Sequence, residues 1–347
     1  MTRPGPDLAA LGRELGRRGL HPRGLALWSG TATLARLPER LLARQQARQH
    51  QPPGPSSLAA LPLELFVAGE RLPRAEAARA LGESLATCLA TGLLVEDGGL
   101  VWAPQAVLPL GQGALAVCDP LHRRPHRDAT PWPDDSSHHL CGALAGVRAA
   151  RWLDLGTGSA IAPLGCPQVA PLILGTDVVP GTARAAALGA ALSGRRVHVA
   201  VSDLDLAVAG AWDLITCNAP IPDEPAAPLA ADPSDRASRW RHAAPDFLDR
   251  LCHSVARRLQ PGGLAVLHTA LAPLLRALTE LGGDAVCVAY TPAEVPAFAV
   301  TWWQPHLPRR LQVVRRQLTP QRPHIDERDR DDADNSRLPP LPELGGS

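Results

Sequence analysis

Carboxylates, glycines and one amide stand where apolar runs of the sequence end, and these residue types suit the binding of a polar ligand. Gly156 and Gly158 follow the apolar run 152–155. Because glycine lacks a β-carbon, the backbone can turn sharply there and approach a ligand with its N–H groups. Asp154 lies just before this turn, and Ile161 occupies the place where a dinucleotide fingerprint needs a small residue. The pattern predicts a nucleotide-type ligand and disfavours NAD.

Three further apolar runs also end in polar side chains, at Asp177, Asp203 and Asn218. A carboxylate in the first of these places can accept hydrogen bonds from both hydroxyls of a ribose. Open α/β sheets place their ligands outside the carboxyl ends of the strands. Four polar strand ends in this order therefore predict one ligand site along the edge of a parallel sheet.

The run Asp154-x-Gly156-x-Gly158-x-Ala160 resembles the first motif of class I S-adenosylmethionine-dependent methyltransferases, with Ala160 where that family has its last glycine. The resemblance implies S-adenosylmethionine as the cofactor and places the adenine amino group at Asp203. It implies the following cofactor contacts: Ser137, Asp154, Gly156, Thr157, Gly158, Asp177, Val178, Ser202, Asp203 and Asn218.

The segment Asn218-Ala219-Pro220 resembles the Asn-Pro-Pro-Tyr motif of methyltransferases that act on planar nitrogen, without its aromatic residue. In that motif the Asn oxygen and the next carbonyl accept hydrogen bonds from the target N–H groups, and proline holds them in place. Asn218, Ala219 and Pro220 are therefore the predicted catalytic residues, and Asp223 and Glu224 are candidate proton acceptors. The alternative interpretation is that Asn218 satisfies a turn and Pro220 ends a strand.

Ser136 and Ser137 lie in a polar segment ahead of the first motif. The resemblance implies that this segment folds over the methionine end of the cofactor. Asp and Ser in front of Leu140 and Leu144 are equally suited to capping a helix that begins there. Both interpretations stay open.

Composition narrows the classes of function. The 347 residues include no Lys and carry a formal net charge of +1, which argues against a chain that coats nucleic acid. Seven Cys without a Cys-x-x-Cys pair indicate reduced thiols and a cytoplasmic protein. No apolar run approaches the length of a membrane span. Cys118, His122 and His126 are too few, and too interrupted by proline, for a zinc site, so no metal is expected.

Two regions precede the first glycine motif. Residues 1–50 show helical spacing of leucine, and 56–118 contain three short helices followed by an Asp-Gly-Gly hairpin, an order that resembles a winged helix. The third of these helices, within 81–92, has no Arg, so we expect a docking or substrate-positioning module rather than a DNA reader. Residues 130–318 are the predicted methyltransferase domain, and 320–347 are predicted to be disordered.

The expected fold is α/β, with a seven-stranded Rossmann-like methyltransferase sheet, helices on both faces and a final antiparallel strand, preceded by the small winged-helix-like domain. This combination resembles bacterial methyltransferases of the "methyltransferase small" or release-factor glutamine methyltransferase-like group. It implies transfer to nitrogen on a protein amide, an RNA base or a small metabolite. Two alternatives stay open: a natural-product O-methyltransferase, which would use His268 as its base, and a cofactor-binding or protein-interaction protein without turnover.

Overall fold

The structure, a computed structural model, describes residues 6–31, 36–50, 57–121, 128–222, 242–290 and 298–316. Several sequence predictions lie outside these ranges. They concern the candidate proton acceptors Asp223 and Glu224, the histidines His122 and His126, and the C-terminal tail.

Three helices open the chain: α1 (Leu8–Arg17), α2 (Pro22–Ser29) and α3 (Leu37–His50). Apolar side chains on one face of α1 are buried, among them Leu11 and Leu15. Asp7 caps α1 by accepting a hydrogen bond from the backbone N–H of Ala10 at 2.9 Å. A Cβ on Gly12 would lie 2.0 Å from a backbone carbonyl oxygen of a later helix, so the glycine permits close packing there.

The next elements are α4 (Leu61–Phe66), β1 (Leu72–Pro73), α5 (Arg74–Leu81), α6 (Ser84–Ala90), β2 (Val95–Asp97) and β3 (Leu100–Trp102). The three predicted helices and the predicted hairpin are all present. The strands form an antiparallel sheet in the order β1-β3-β2. Gly98 and Gly99 in the hairpin turn both have positive φ, which explains why glycine occupies both places.

A second hairpin, β4 (Ala106–Pro109) and β5 (Leu115–Cys118), packs on helix α9 (Pro180–Leu192). The contact is close, because a Cβ on Gly189 would lie 2.9 Å from the carbonyl oxygen of Leu115. Buried residues of the N-terminal helices, this hairpin and α9 form one continuous apolar cluster. The N-terminal region is therefore fastened to the large sheet.

The remaining elements build that sheet and the helices on its two faces. In chain order they are α7 (Asp135–Ala143), β6 (Arg151–Leu155), α8 (Ile161–Gly165), β7 (Leu172–Asp177), α9, β8 (Val197–Val201), β9 (Trp212–Asn218), β10 (Ile221–Pro222), β11 (His242–Ala243), α10 (Phe247–Arg258), β12 (Leu259–Ala270), α11 (Leu271–Leu281), β13 (Asp284–Tyr290), β14 (Phe298–Gln304) and β15 (Arg310–Arg316). The sheet order is β15-β13-β14-β12-β9-β6-β7-β8, and β10 pairs with β11 separately. Strand β14 is antiparallel to both of its neighbours, and all other neighbours in the sheet are parallel.

The prediction of seven strands is wrong, because the described residues form eight strands in this sheet. The additional strand is β15, which lies at the edge and, among the described strands, pairs only with β13. Leu311 and Val313 of β15 are 42% and 39% exposed. Neither face of the strand is fully covered, so the residues lack the alternation of buried and exposed types that marks a strand.

The chain adds strands on both sides of the centre of the sheet, and this creates a topological switch point between β6 and β9. From β6 it continues to β7 and β8 on one side, whereas β9 leads to β12 and β14 on the other. Ligands of open α/β sheets bind at such a point, beyond the carboxyl ends of the strands. The register pairs Asp154 with Thr216, so Gly156 and Asn218 each lie two residues beyond the same pair.

Apolar packing covers both faces of the sheet. Trp152 and Trp302 are fully buried on the face that carries α7, and Trp303 is buried on the face that carries α10 and α11. The indole N–H of Trp302 donates to the carbonyl of Ala143 at 3.2 Å, which ties α7 to the sheet. Within the described ranges, no helix is both long enough and apolar enough to cross a bilayer.

Candidate active site

The loop after β6 contains three residues with left-handed backbone: Gly156 (φ 61°), Gly158 (φ 58°) and Ala160 (φ 58°). Gly158 is buried, and a Cβ there would lie 2.7 Å from Cγ of Pro131. Ala160 thus holds a left-handed conformation that glycine adopts more readily than alanine. Gly156 is exposed, and a Cβ added to it would meet no described atom within 4 Å. A ligand therefore has room to lie against the backbone at Gly156.

The helix after this loop is short. α8 has five residues, with Pro163 inside it, so it carries little of a helix dipole. The N–H of Thr157 donates to the carbonyl of Thr176 at 2.7 Å. The N–H of Thr157 is thus used within the protein, and the open feature of this loop is Gly156.

Asp177, at the end of β7, is hydrogen-bonded to the backbone of the glycine loop. Its carboxylate accepts hydrogen bonds from the N–H of Gly158 at 3.0 Å and the N–H of Val179 at 2.9 Å. Burial raises the pKa of Asp177, and these two hydrogen bonds oppose that shift. A carboxylate has about four acceptor positions, so two remain for ligand hydroxyls. Val178 beside it is 45% exposed and offers an apolar surface.

Asp154 lies beneath the loop and is 3% exposed. Its carboxylate accepts hydrogen bonds from the hydroxyl of Thr157 at 2.6 Å and from the hydroxyl of Thr216. Thr216 in turn accepts the indole N–H of Trp152 at 2.7 Å. Burial raises the pKa of Asp154 to about 6 despite the two hydroxyls. Asp154 thus fastens the loop to the sheet, and both its oxygens have partners within the protein.

The end of β8 leads into a turn that α10 covers. The hydroxyl of Ser202 is buried and accepts the N–H of Ala207 at 2.9 Å. Asp203 forms an ion pair with Arg250, and both side chains are about two-fifths exposed. Asp205, two residues on, is 1% exposed and holds two arginines of α10. The predicted adenine contact Asp203 therefore already has a cationic partner.

Asn218 ends β9 and is oriented by the first turn of α7. Its amide Nδ2 donates to the hydroxyl of Ser136 at 2.7 Å and lies 3.4 Å from the hydroxyl of Ser137. Asp134 caps α7 through the N–H of Ser137 at 3.2 Å and also accepts the hydroxyl of Ser136. The cap and the contact with the candidate site are therefore both present. Asn218 Oδ1 has no hydrogen-bond partner among the described residues.

Ala219 and Pro220 continue from the end of β9 and are half-buried. The N–H of Ala219 donates to the carbonyl of His268 at 2.9 Å, which extends the pairing of β9 with β12 by one residue. The backbone that carries Asn218 is therefore held to β12.

Sequence reasoning missed a cluster of rings beside Asn218. His268 of β12, His139 of α7, Tyr290 of β13 and Phe298 of β14 gather at this rim, with the His139 and Tyr290 ring centroids 4.6 Å apart. Of these, the sequence singled out His268 alone, as a candidate base. A signal was available, because the single Tyr of the chain lies at the end of a strand.

We compared the chain with known proteins. Neither the family models nor the curated proteins give a match. Among solved structures, the chain is similar to the Thermus thermophilus 16S rRNA N2 G1207 methyltransferase in complex with AdoMet and guanosine (19% identity, 68% of this chain and 65% of that one, TM-score 0.40). It is also similar to ribosomal protein L11 methylase from Lactobacillus delbrueckii (19% identity, 48% and 76%, TM-score 0.35) and a predicted O-methyltransferase from Agrobacterium tumefaciens (17% identity, 58% and 96%, TM-score 0.39). Scores of this size do not assign the chain to a family.

The described residues bring together an open backbone turn, a carboxylate with free acceptor positions and an amide oxygen without a partner. No group of three His, Cys, Asp or Glu side chains within the described part of the chain could hold a metal ion. The arrangement can bind a ligand with hydroxyl groups at Asp177 and orient an N–H donor at Asn218.

Proposed function

We propose that the chain is an S-adenosylmethionine-dependent methyltransferase that transfers the methyl group to nitrogen. One observation carries this proposal: Gly156 and Asn218 each lie two residues beyond the paired residues of the two strands that flank the topological switch point, and Asn218 Oδ1 has no hydrogen-bond partner among the described residues. A cofactor site and an acceptor site in contact are what a direct transfer needs.

The residues present fit S-adenosylmethionine. Gly156 offers the space that a Cβ would fill, and Asp177 retains acceptor positions for two ribose hydroxyls. Val178 supplies an exposed apolar side chain next to that carboxylate. When bound, the cofactor supplies an electrophilic methyl group on a positively charged sulfur. We assign these three residues as cofactor contacts, with Asp154, Thr157, Gly158 and Ser202 positioning the loops that carry them.

Asn218 orients the acceptor nitrogen. Asp134 accepts the hydroxyl of Ser136, and Ser136 accepts the amide N–H of Asn218, so the three groups form a chain of hydrogen bonds that ends at a carboxylate. Such chains polarise each member, which makes Oδ1 a stronger acceptor for the N–H of a substrate. The acceptor lone pair is thereby held toward the methyl group, and the proton leaves to solvent after transfer.

The surroundings of His268 support nitrogen rather than oxygen as the acceptor atom. A hydroxyl acceptor needs a base that reaches its proton. The His268 ring is 4% exposed and bonds Tyr290 through Nε2, and burial lowers its pKa to about 4. His268 in this state is a weak base with no open path to a substrate hydroxyl.

The N-terminal region supports a docking role. Its described part contains three short helices followed by a hairpin, and α6, the third of these helices, contains no Arg or Lys. We propose that this module positions the substrate rather than reads DNA, since phosphate contacts need cations.

Calorimetric titration with S-adenosylmethionine and S-adenosylhomocysteine tests the cofactor assignment. We expect binding that Asp177→Ala weakens at least tenfold, because two ribose hydrogen bonds are lost. Asp97→Ala, at an exposed carboxylate of the N-terminal hairpin, is the matched control and should bind as the wild type does. Absence of binding by the folded wild-type chain would refute the proposal.

Transfer of labelled methyl from S-adenosylmethionine to protein, RNA and metabolite fractions tests the reaction. We expect Asn218→Ala to reduce transfer at least a hundredfold while leaving cofactor affinity within twofold, since its oxygen orients the acceptor alone. A fully active Asn218→Ala variant would contradict the role of the amide. Cofactor binding without transfer to any fraction would favour a binding protein without turnover.

A further inference from the structure

Four rings form a continuous cluster at the rim of the sheet next to Asn218. The ring centroids of His268 and Phe298 are 5.9 Å apart, with planes 6° from parallel, and those of His268 and His139 are 6.4 Å apart, with planes 9° from parallel. Tyr290 lies 4.6 to 6.4 Å from the other three centroids. The register explains the grouping, because His268 pairs with Asn218 and Tyr290 pairs with Phe298.

Helix α7 joins this cluster to the amide. Ser136, which orients Asn218, and His139, which contacts Tyr290, are three residues apart and so lie on the same side of the helix. The same turn of α7 thus orients the amide of Asn218 and carries one ring of the cluster.

The cluster is not a consequence of an aromatic-rich chain. The 347 residues include one Tyr and three Phe, and the Tyr and one of the Phe are both at this rim. Elsewhere the buried clusters are built mainly from Leu, Ala and Val, with Trp. Tyr and Phe are thus rare in the interior of this chain, yet one of each lies in the cluster beside Asn218.

Burial divides the cluster into a floor and a surface. His268 and Tyr290 are 4% and 7% exposed and hydrogen-bond each other. His139 and Phe298 are partly exposed above them. Burial lowers the pKa of both histidines and raises the pKa of Tyr290, so the rings are uncharged near neutral pH. His268 Nδ1 is buried and has no hydrogen-bond partner among the described residues.

We propose that the two partly exposed rings, Phe298 and His139, form the acceptor-binding surface on the support of His268 and Tyr290, and that the acceptor is a planar nitrogen heterocycle of the nucleobase type carrying an N–H group. The inference rests on the proposed methyl transfer and names its substrate class. Asn218 Oδ1 accepts the N–H at the edge of the heterocycle, and Phe298 and His139 contact its face. The rings thereby replace the aromatic residue that the segment after Asn218 lacks, where Ile221 stands.

An aliphatic amide would make the hydrogen bond to Asn218 but not the ring contact. Stacking on an aromatic side chain is worth roughly ten- to hundredfold in affinity per base. A heterocycle should therefore bind at least tenfold more tightly than an aliphatic amide of similar polarity.

The test uses the full chain saturated with S-adenosylhomocysteine. Guanosine, adenosine and cytidine are compared with N-acetylglutamine amide by saturation-transfer NMR and calorimetry. We expect at least one nucleoside to bind, and to bind at least tenfold more tightly than the aliphatic amide. Phe298→Leu, which keeps an apolar side chain but removes the ring, should weaken nucleoside binding at least tenfold, whereas Phe298→Tyr should retain it. Phe247→Leu, on α10, removes a ring that packs in a different cluster and is the matched control.

The outcomes separate this inference from the proposed function. Binding of the amide but of no nucleoside, or unchanged nucleoside binding by Phe298→Leu, would overturn the ring surface while leaving methyl transfer intact. The ring surface would also be overturned if the chain bound S-adenosylhomocysteine but none of the three nucleosides or the amide. Nucleoside binding that depends on Phe298, in a chain that does not bind S-adenosylhomocysteine, would support the ring surface and refute the methyltransferase. A single-stranded hexanucleotide shows whether the natural acceptor is part of a polynucleotide or a free small molecule. An affinity more than tenfold above that of its nucleosides identifies a polynucleotide, and an equal affinity identifies a free small molecule.

Discussion

The side-chain amide of Asn218 donates a hydrogen bond to the hydroxyl of Ser136, across 82 residues of sequence and over 2.7 Å. This contact decides which end of the amide faces the site, because the donor end is occupied and the oxygen has no partner in the part of the chain that the structure describes. A strand end and a helix start thus act together, and neither alone would fix the orientation of the amide. The hydroxyl therefore has a positioning role that a substitution can isolate.

Ser136→Ala should reduce methyl transfer about tenfold with little change in cofactor affinity, because the amide of Asn218 is then free to rotate and its productive orientation is less populated. Ser137→Ala is the comparison, since this hydroxyl lies 3.4 Å from the same nitrogen and should lose less activity. Steady-state transfer rates and calorimetric affinities for both variants check the expectation. Equal losses for the two variants would argue against a special role of Ser136.

Gly156→Ala and Gly158→Ala should separate ligand binding from stability. Gly156→Ala should cost about 1 to 2 kcal/mol through its left-handed backbone and should weaken cofactor binding, because the methyl group enters the open space. Gly158→Ala carries the same backbone cost and also drives Cβ into Pro131, so its unfolding free energy should fall further. Denaturant unfolding and calorimetry on both variants measure the two effects. A larger loss of stability in Gly156→Ala would contradict the structure of the loop.

The strand ends of the site were predictable, because each follows an apolar run and ends in a polar residue. Asp177, Asp203 and Asn218 all lie along the carboxyl edge of the sheet, as the sequence predicts. What each side chain contacts was not predictable. The ion pair of Asp203 with Arg250 joins a strand end to a helix 47 residues away, and nothing in the local pattern indicates it.

The ring surface was not predictable for a related reason. His139, Tyr290 and Phe298 come from a helix and two strands, and they meet only through the pairing of β13 with β14 and the packing of α7. Their spacing in sequence has no period. Strand β15 escaped prediction because an exposed edge strand with arginines at both ends buries neither face.

Asp154→Asn should change how stability depends on pH. Burial raises the pKa of Asp154 to about 6, above its value of about 3.9 in an unfolded chain. The folded state therefore binds more protons between these values, and the contribution of Asp154 to stability falls as pH rises from about 4 to about 6. A shift of about 2 units corresponds to about 3 kcal/mol. The Asn side chain of the variant does not titrate. Between pH 4 and pH 7, the unfolding free energy of Asp154→Asn should therefore rise by about 3 kcal/mol relative to that of the wild type.

Urea unfolding of the wild type and Asp154→Asn at both pH values measures this difference directly. A constant difference between Asp154→Asn and the wild type would mean that Asp154 has the same pKa in the folded and unfolded states, contrary to its burial.

Two neighbouring carboxylates of the turn after β8 should respond to substitution in opposite ways. Asp205 is buried between Arg257 and Arg258, and their hydrogen bonds outweigh its burial and lower its pKa to about 2. Asp205→Asn should therefore destabilise the fold by about 1 to 3 kcal/mol, because charged hydrogen bonds are lost. Cofactor affinity, measured well below the melting temperature, should stay within twofold.

Asp203 differs because its ion pair with Arg250 is about two-fifths exposed on both sides, so the pair contributes at most about 1 kcal/mol to stability. If Asp203 accepts the adenine amino group, Asp203→Asn should weaken S-adenosylmethionine binding several-fold at nearly unchanged stability. Arg250→Gln should strengthen the binding of S-adenosylmethionine, because Asp203 no longer has to give up its ion pair with Arg250 in order to accept the adenine amino group. Calorimetry at low and high salt checks this, since salt screens the ion pair and should bring the wild type closer to Arg250→Gln. Unchanged affinity in both variants would remove Asp203 from the cofactor site and leave its ion pair with α10 as its whole role.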